Sequence, residues 1–238
     1  MLKLYVTSTG IKSGKTFIST GLSATMQSLG YSTCVYKPVQ TSGIEINGFM
    51  QSPDLTFVKT IDPYIETRFT YLFKSSQEPA ISAELENTVI DKFMIQHDFN
   101  NISDKFDCCV VDGNFGIASP LAPNFSTIAL LKFLKLPLLI VVSPDKNSVN
   151  NTILTANYAA SNGVEIRGAI LNDIPEFSSD KYIKTIPRLI EEYTDAKILG
   201  IVEHINSNLT SSELISTILN GTDIESVFDI KIEKLGLC

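Results

Sequence analysis

Short, unbroken apolar runs punctuate the chain at Leu2 to Thr7, Thr33 to Tyr36, Cys108 to Val111, Leu138 to Val142, Ile166 to Leu171 and Ile198 to Val202. Each is of strand length, and continuous rather than alternating hydrophobicity suits strands covered on both faces. Between them lie helix-length stretches: Lys15 to Leu29, Val89 to Ser103, Thr127 to Leu134, Val149 to Ser161, Lys181 to Tyr193 and Ser211 to Leu219. Strand alternating with helix implies crossover connections, so the expected fold is α/β, a doubly wound and mostly parallel sheet. No Pro/Ser-rich linker, long single-sign charge run or solenoid-period repeat divides the chain, and residues 1–238 read as one domain. The segment Gly43 to Gln77 has the least regular pattern and reads as functional loop. The residues after Gly221 read as a solvated closing element.

Composition narrows the function classes. With 238 residues, 44% apolar and 19% charged, and a mean hydropathy of +0.14, the chain can bury a full core. That excludes a disordered or fibrous protein. Nineteen basic against 26 acidic residues leave a net charge of −7, which argues against nucleic acid as the main partner. The longest apolar runs, such as Leu136 to Val142, fall far short of the ~20 residues that a spanning helix needs. No basic-then-apolar leader precedes the first strand, so the expected compartment is the cytosol. Cys34, Cys108 and Cys109 lie within apolar, strand-like segments and Cys238 is terminal, which offers neither a disulfide framework nor a metal spacing. With His97 and His204 the only histidines, the available chemistry is that of carboxylate, lysine and bound cation.

The first strand runs into Ser8, Thr9, Gly10, Ile11, Lys12, Ser13, Gly14, Lys15 and Thr16 just before a helix, the context a phosphate-binding loop requires. A helix N-terminus offers unpaired N–H groups and the positive end of its dipole to a polyanion. Gly14 allows close backbone approach, Lys15 reaches the β and γ oxygens, and the Thr16 hydroxyl ligates Mg²⁺. The motif G-x-x-x-x-G-K-[ST] is imperfect, since Thr9 stands at its first glycine and Gly10 comes one place late. Lys12 has two readings, a solvated loop lysine or a further phosphate contact. The second strand leads into Lys37, which faces the same crevice as Lys15 if ligands bind beyond the carboxyl ends of the strands. Read alone, Lys37 is also consistent with a strand-end lysine reaching for water.

The chain resembles the dethiobiotin synthetases, ATP-dependent carboxylases of P-loop NTPase-like fold that close a cyclic urea. The likeness rests on Gly14, Lys15 and Thr16, on Tyr36, Lys37, Pro38 and Val39 with Thr41 and Gly43, and on Ser52, Pro53 and Asp54. It continues through Ile81 to Glu86, through Val111, Asp112, Gly113 and Gly116 with Pro120 and Leu121, through Asn150, Leu154 and Thr155, and ends at Asn172 and Asp173. The resemblance implies catalytic roles for Lys15 and Lys37 at the γ-phosphate, and a Mg²⁺ site at Thr16, Asp54 and Asp112. It implies ATP contacts from Lys12, Ser13, Gly14, Lys15, Thr16, Phe17, Asp54, Asp112, Asn172 and Asp173, the last two at the adenine. It implies that Thr41 meets a small-molecule diamine or its carbamate, formed with CO₂ or bicarbonate, and that Asn150 helps capture the distal carboxylate at a homodimer interface. As residues alone, Asn172 and Asp173 also suit an Asx turn before Pro175, and Asn150 a helix start.

Four positions depart from the family pattern. Asp112 replaces a glutamate and shortens its reach by one methylene, Phe115 puts a ring where close backbone approach is usual, Lys12 replaces a loop glutamate, and Pro79-Ala80 replaces a Pro-His pair. The competing reading is a P-loop switch ATPase of the partitioning or metal-cluster-delivery type. Such proteins usually carry a lysine at the position of Gly10, and they act on DNA, membranes or partner proteins, for which there is no basic tail or amphipathic anchor.

Overall fold

The computed structural model describes residues 1–10, 12–174, 180–205 and 209–232, leaving aside the side chains of Asp180, Tyr182 and Ile183. In chain order the elements are β1 (Leu2–Ser8), α1 (Lys15–Ser28), β2 (Thr33–Gln40), the hairpin β3 (Ile44–Ile46) and β4 (Phe49–Gln51), α2 (Pro53–Ile61) and β5 (Glu66–Leu72). There follow α3 (Pro79–Leu85), α4 (Lys92–Ser103), β6 (Cys108–Asp112), the small pair β7 (Pro120–Ala122) and β8 (Phe125–Ser126), α5 (Thr127–Leu134) and β9 (Leu138–Val142). The chain continues with α6 (Ser148–Ser161), β10 (Ile166–Ile174), α7 (Asp180–Tyr193), β11 (Ile198–Glu203), α8 (Ser211–Gly221) and α9 (Ile224–Phe228).

Seven strands form one sheet in the order β11-β10-β9-β1-β6-β2-β5, and every neighbouring pair is parallel. Alternate residues of a central strand face opposite layers. Leu4, Val6, Cys108 and Val110 pack against Ile18, Leu22 and Met26 of α1, with Leu214 and Ile218 of α8 behind. Tyr5, Cys109 and Val111 face the other layer, which includes Ile95 and Phe99 of α4 and Leu131 of α5. The strands are therefore apolar on both faces, as their unbroken hydrophobic runs predict.

The differences from the sequence pattern lie where burial is one-sided. Gly43 to Gln77 is not loop: it holds the hairpin, α2 and the edge strand β5. In β5, Arg68 and Phe69 are exposed, because an edge strand has only one hydrogen-bonded neighbour and sheds the double-sided apolar signature. β2 runs on to Gln40 rather than stopping at Tyr36. The fourth helix begins at Lys92, because the Asp91 carboxylate accepts from Phe93 N–H and caps it. The region after Gly221 is not a solvated tail, since Ile224, Val227 and Phe228 of α9 are buried beneath the sheet on the α1 side. Glu233 and Lys234 of that tail, Ile11 of the loop, Pro175 and Cys238 lie outside the described residues. Cys34, Cys108 and Cys109 are free thiols in the core, and burial pushes the Cys108 thiol up to about 12. No helix among the described residues is long and apolar enough to cross a membrane.

Candidate functional site

The loop between β1 and α1 is built around Gly14. Its φ of +82° is in the left-handed region, and a Cβ there would lie 2.1 Å from Asn172 Nδ2. Both conditions call for glycine. Asn172, at the end of β10, donates from Nδ2 to the Ser13 carbonyl at 3.0 Å, while the buried Ser13 hydroxyl donates to the Gly10 carbonyl at 3.0 Å. These bonds hold the loop open over the start of α1, whose first turn carries no acidic side chain and no side-chain cap. The unpaired N–H groups there suit a phosphate. Gly14→Ala is expected to weaken nucleotide binding at least tenfold and to cost about 1–3 kcal/mol of stability from backbone strain; fluorescence-detected nucleotide titration and thermal melts measure both.

Beside the loop, the carboxyl ends of β2 and β6 bring a charged cluster together. Lys37, 1% exposed, places Nζ 2.5 Å from Asp54 Oδ2 and 2.7 Å from Asp112 Oδ2, and donates to the Gly113 carbonyl at 3.2 Å. Asp112 is fully buried and also accepts from the Thr16 and Ser19 hydroxyls, each at 3.0 Å. Asp54 is held by the first turn of α2, which Ser52 caps by accepting from Leu55 N–H. Burial pulls the Lys37 ammonium toward neutrality, but the two carboxylates outweigh it and hold its pKa above the ordinary lysine value. Lys15, whose Nζ donates to Ser8 Oγ at 3.2 Å, has the opposite balance. Burial lowers its pKa, helped by the Lys37 charge and opposed by Asp112 and Asp54.

Lys12, Ser13, Gly14, Lys15, Thr16, Phe17, Lys37 and Asp54 surround a hollow of about 330 Å³. It adjoins a larger one of about 780 Å³, which Lys12, Lys15 and Asp54 share and which is also lined by Thr41, Asn114, Phe115, Asn151, Leu154 and Thr155. Asn114 Nδ2 donates to Thr41 Oγ1 at 3.1 Å. Asn150 is exposed, with its amide turned to Asn151 Oδ1, and it is the adjacent Asn151 that faces the hollow and donates to the Thr9 carbonyl. Asp173 lies outward with a φ of +65° and meets His204 Nδ1 at 2.5 Å.

Among the described residues, no three His, Cys, Asp or Glu side chains gather into a metal cluster. Two carboxylates and a hydroxyl are nevertheless what a hard cation needs when a nucleotide supplies the remaining oxygens, so Thr16, Asp54 and Asp112 fit Mg²⁺.

A protein-family profile described as an AAA domain matches residues 3–211. The ATP-dependent dethiobiotin synthetase of Bacillus subtilis subsp. natto is 30% identical over 218 residues, covering 90% of this chain and 92% of the relative. This chain belongs to the dethiobiotin synthetase family. A second relative of that name, from Methanococcus vannielii, is 29% identical over 199 residues, covering 84% of this chain and 92% of its own. Among solved structures, a ParA family ATPase from Chlorobium tepidum superposes with a TM-score of 0.60 over 96% of both chains at 15% identity. That likeness shows the fold, a P-loop NTPase-like sheet.

Within the dethiobiotin synthetase family pattern, two of the four departures, Lys12 and Phe115, line the hollows, and the other two lie beside them. Asp112 keeps its carboxylate in the charged cluster, and Pro79 opens α3 beside Phe115 and Val39. Ser19 and Asn114 were not singled out in the sequence. Ser19 stands three residues after Thr16 on the same helix face, a spacing that could have found it. Asn114 carries no local signal. The lowered Lys15 value also makes a prediction for this synthetase-family site. A bound triphosphate restores the ammonium, so nucleotide binding takes up protons at pH values between the lowered folded value and the ordinary ~10.4. Calorimetry in buffers of different ionisation enthalpy at alkaline pH should show that uptake; heats independent of buffer would contradict it.

Proposed function

We propose that this protein carboxylates 7,8-diaminononanoate with CO₂ and closes the cyclic urea of dethiobiotin, converting ATP to ADP and phosphate. The observation that carries this reading is the shared hollow in which Lys15 and Lys37 meet Asp54 and the phosphate loop, opening onto Thr41 and Asn114. One substrate amine attacks CO₂ and loses a proton to a carbamate or phosphate oxygen, leaving a carbamate. A carbamate oxygen then attacks the γ-phosphorus in line, and ADP departs. The second amine attacks the carbonyl carbon of the resulting carbamic-phosphoric anhydride and gives up a proton to a phosphate oxygen, and phosphate leaves with the bonding pair.

Such a sequence needs positioning and charge neutralisation rather than a protein nucleophile. The loop N–H groups and Lys15 hold the β- and γ-phosphates, and Lys37 neutralises charge on the migrating group. In this reading Thr41, with Asn114 on its oxygen, meets the amine or carbamate, and Asn172 and Asp173 meet the adenine. Thr16, Asp54 and Asp112 would hold Mg²⁺, which supplies further neutralisation of the phosphate oxygens. The reading extends to a single-domain cytosolic homodimer in which Asn150 takes the substrate's distal carboxylate at the subunit interface.

ADP release should depend on both the diamine and bicarbonate and be indifferent to DNA. Stimulation by DNA and not by the diamine would favour the switch-ATPase alternative, to which the shared fold alone points.

A further inference from the structure

Lys37 sits among the same oxygens that fit a divalent ion. Its Nζ contacts Asp54 Oδ2 and Asp112 Oδ2, and the latter oxygen also accepts from Thr16 Oγ1. Both carboxylates assigned to the cation are therefore already engaged by an ammonium, while Thr16 gives its hydroxyl hydrogen to Asp112 and keeps its oxygen lone pairs for a metal. Lys37 and Asp112 are buried, so neither can turn to bulk water to release the other. Lys12, Lys15 and Lys37 stand against Asp54 and Asp112, so no excess of negative charge remains to draw in a dication. What can free the seat is another anion for Lys37, and its side chain borders the same hollow as the phosphate loop.

We propose that Lys37 is the resident cation of the nucleotide-free site and exchanges places with the divalent ion when the triphosphate arrives. The phosphates take the ammonium, the carboxylates and the Thr16 oxygen take the metal, and the two ligands enter as a unit. Metal without nucleotide is disfavoured by competition from the protein's own lysine. A competing internal cation lowers apparent metal affinity by the fraction of time the seat is free; at roughly nine-tenths occupancy, its removal tightens binding about tenfold.

The test is Mn²⁺ binding to the full-length protein without nucleotide, followed by the electron paramagnetic resonance signal of the free ion. Lys37→Met is expected to bind Mn²⁺ about tenfold tighter than wild type or better, and its melting temperature should rise on Mn²⁺ addition more than that of wild type. Equal or weaker Mn²⁺ binding in the variant would overturn the exchange. If the variant does not fold, wild-type crystals decide through the anomalous signal of Mn²⁺. A peak between Asp54 and Asp112 that strengthens when a non-hydrolysable ATP analogue is present supports the exchange; a peak of equal strength there without nucleotide sinks it. The inference rests on the reading of Thr16, Asp54 and Asp112 as the metal seat, and that reading fails separately, by an analogue-bound peak located elsewhere.

Discussion

Lys37→Ala is expected to lower ADP release driven by diamine and bicarbonate by at least about a thousandfold, the scale on which a preorganised charge at a migrating phosphoryl group acts. Lys37 is buried and borders the hollow of the phosphate loop, so little solvent has to reorganise when charge develops on the transferred group. The loss should fall on kcat more than on the KM for ATP, because the loop N–H groups and Lys15 still bind the nucleotide. Steady-state and single-turnover ADP release measure it; turnover within tenfold of wild type would remove Lys37 from the chemistry. Lys15→Ala should instead raise the KM for ATP as well, since its ammonium is part of the phosphate cradle.

Asp112→Ala is expected to destabilise the protein by about 3–5 kcal/mol, the cost of breaking a buried pair and leaving its partners unmatched. The substitution strips Lys37 of one of two carboxylates and leaves the Thr16 and Ser19 hydroxyls without their acceptor. In a chain of this size that corresponds to a fall in Tm of roughly 10 °C. The pH dependence should change as well. Because the Lys37 pKa is raised on folding, its contribution is complete below the ordinary lysine value and is lost only as pH climbs through the higher folded value. In Asp112→Ala that alkaline loss should begin at lower pH. Calorimetric melts across the alkaline range report both effects, and a variant as stable as wild type would show that the cluster contributes nothing to folding.

Six of the seven strands and the helix after the phosphate loop were legible in the chain, because a strand buried on both faces must be apolar at every position. β5 was not legible, since an edge strand half open to water reads as loop. α9 was misread for a related reason. Its charged neighbours Asp223, Glu225 and Asp229 suggest solvent, while Ile224, Val227 and Phe228 turn inward on a helix too short to show a period.

The sequence by itself determined the alternation of elements, the loop that ends in Gly14, Lys15 and Thr16, and the ordered motifs that mark the family, because these depend on neighbours a few positions apart. Only the tertiary structure decided who meets whom. The strand order β1-β6-β2 sets Thr16, Asp112 and Lys37 side by side across separations of 96 and 75 residues, and β10 returns Asn172 to Ser13 across 159. The same packing turned Asn151 rather than Asn150 toward the hollow and gave Asp112 the hydroxyl of Ser19. A residue's type sets which bonds it can make. Whether its partners stand within about 3 Å is set by crossover connections, whose geometry no local spacing records.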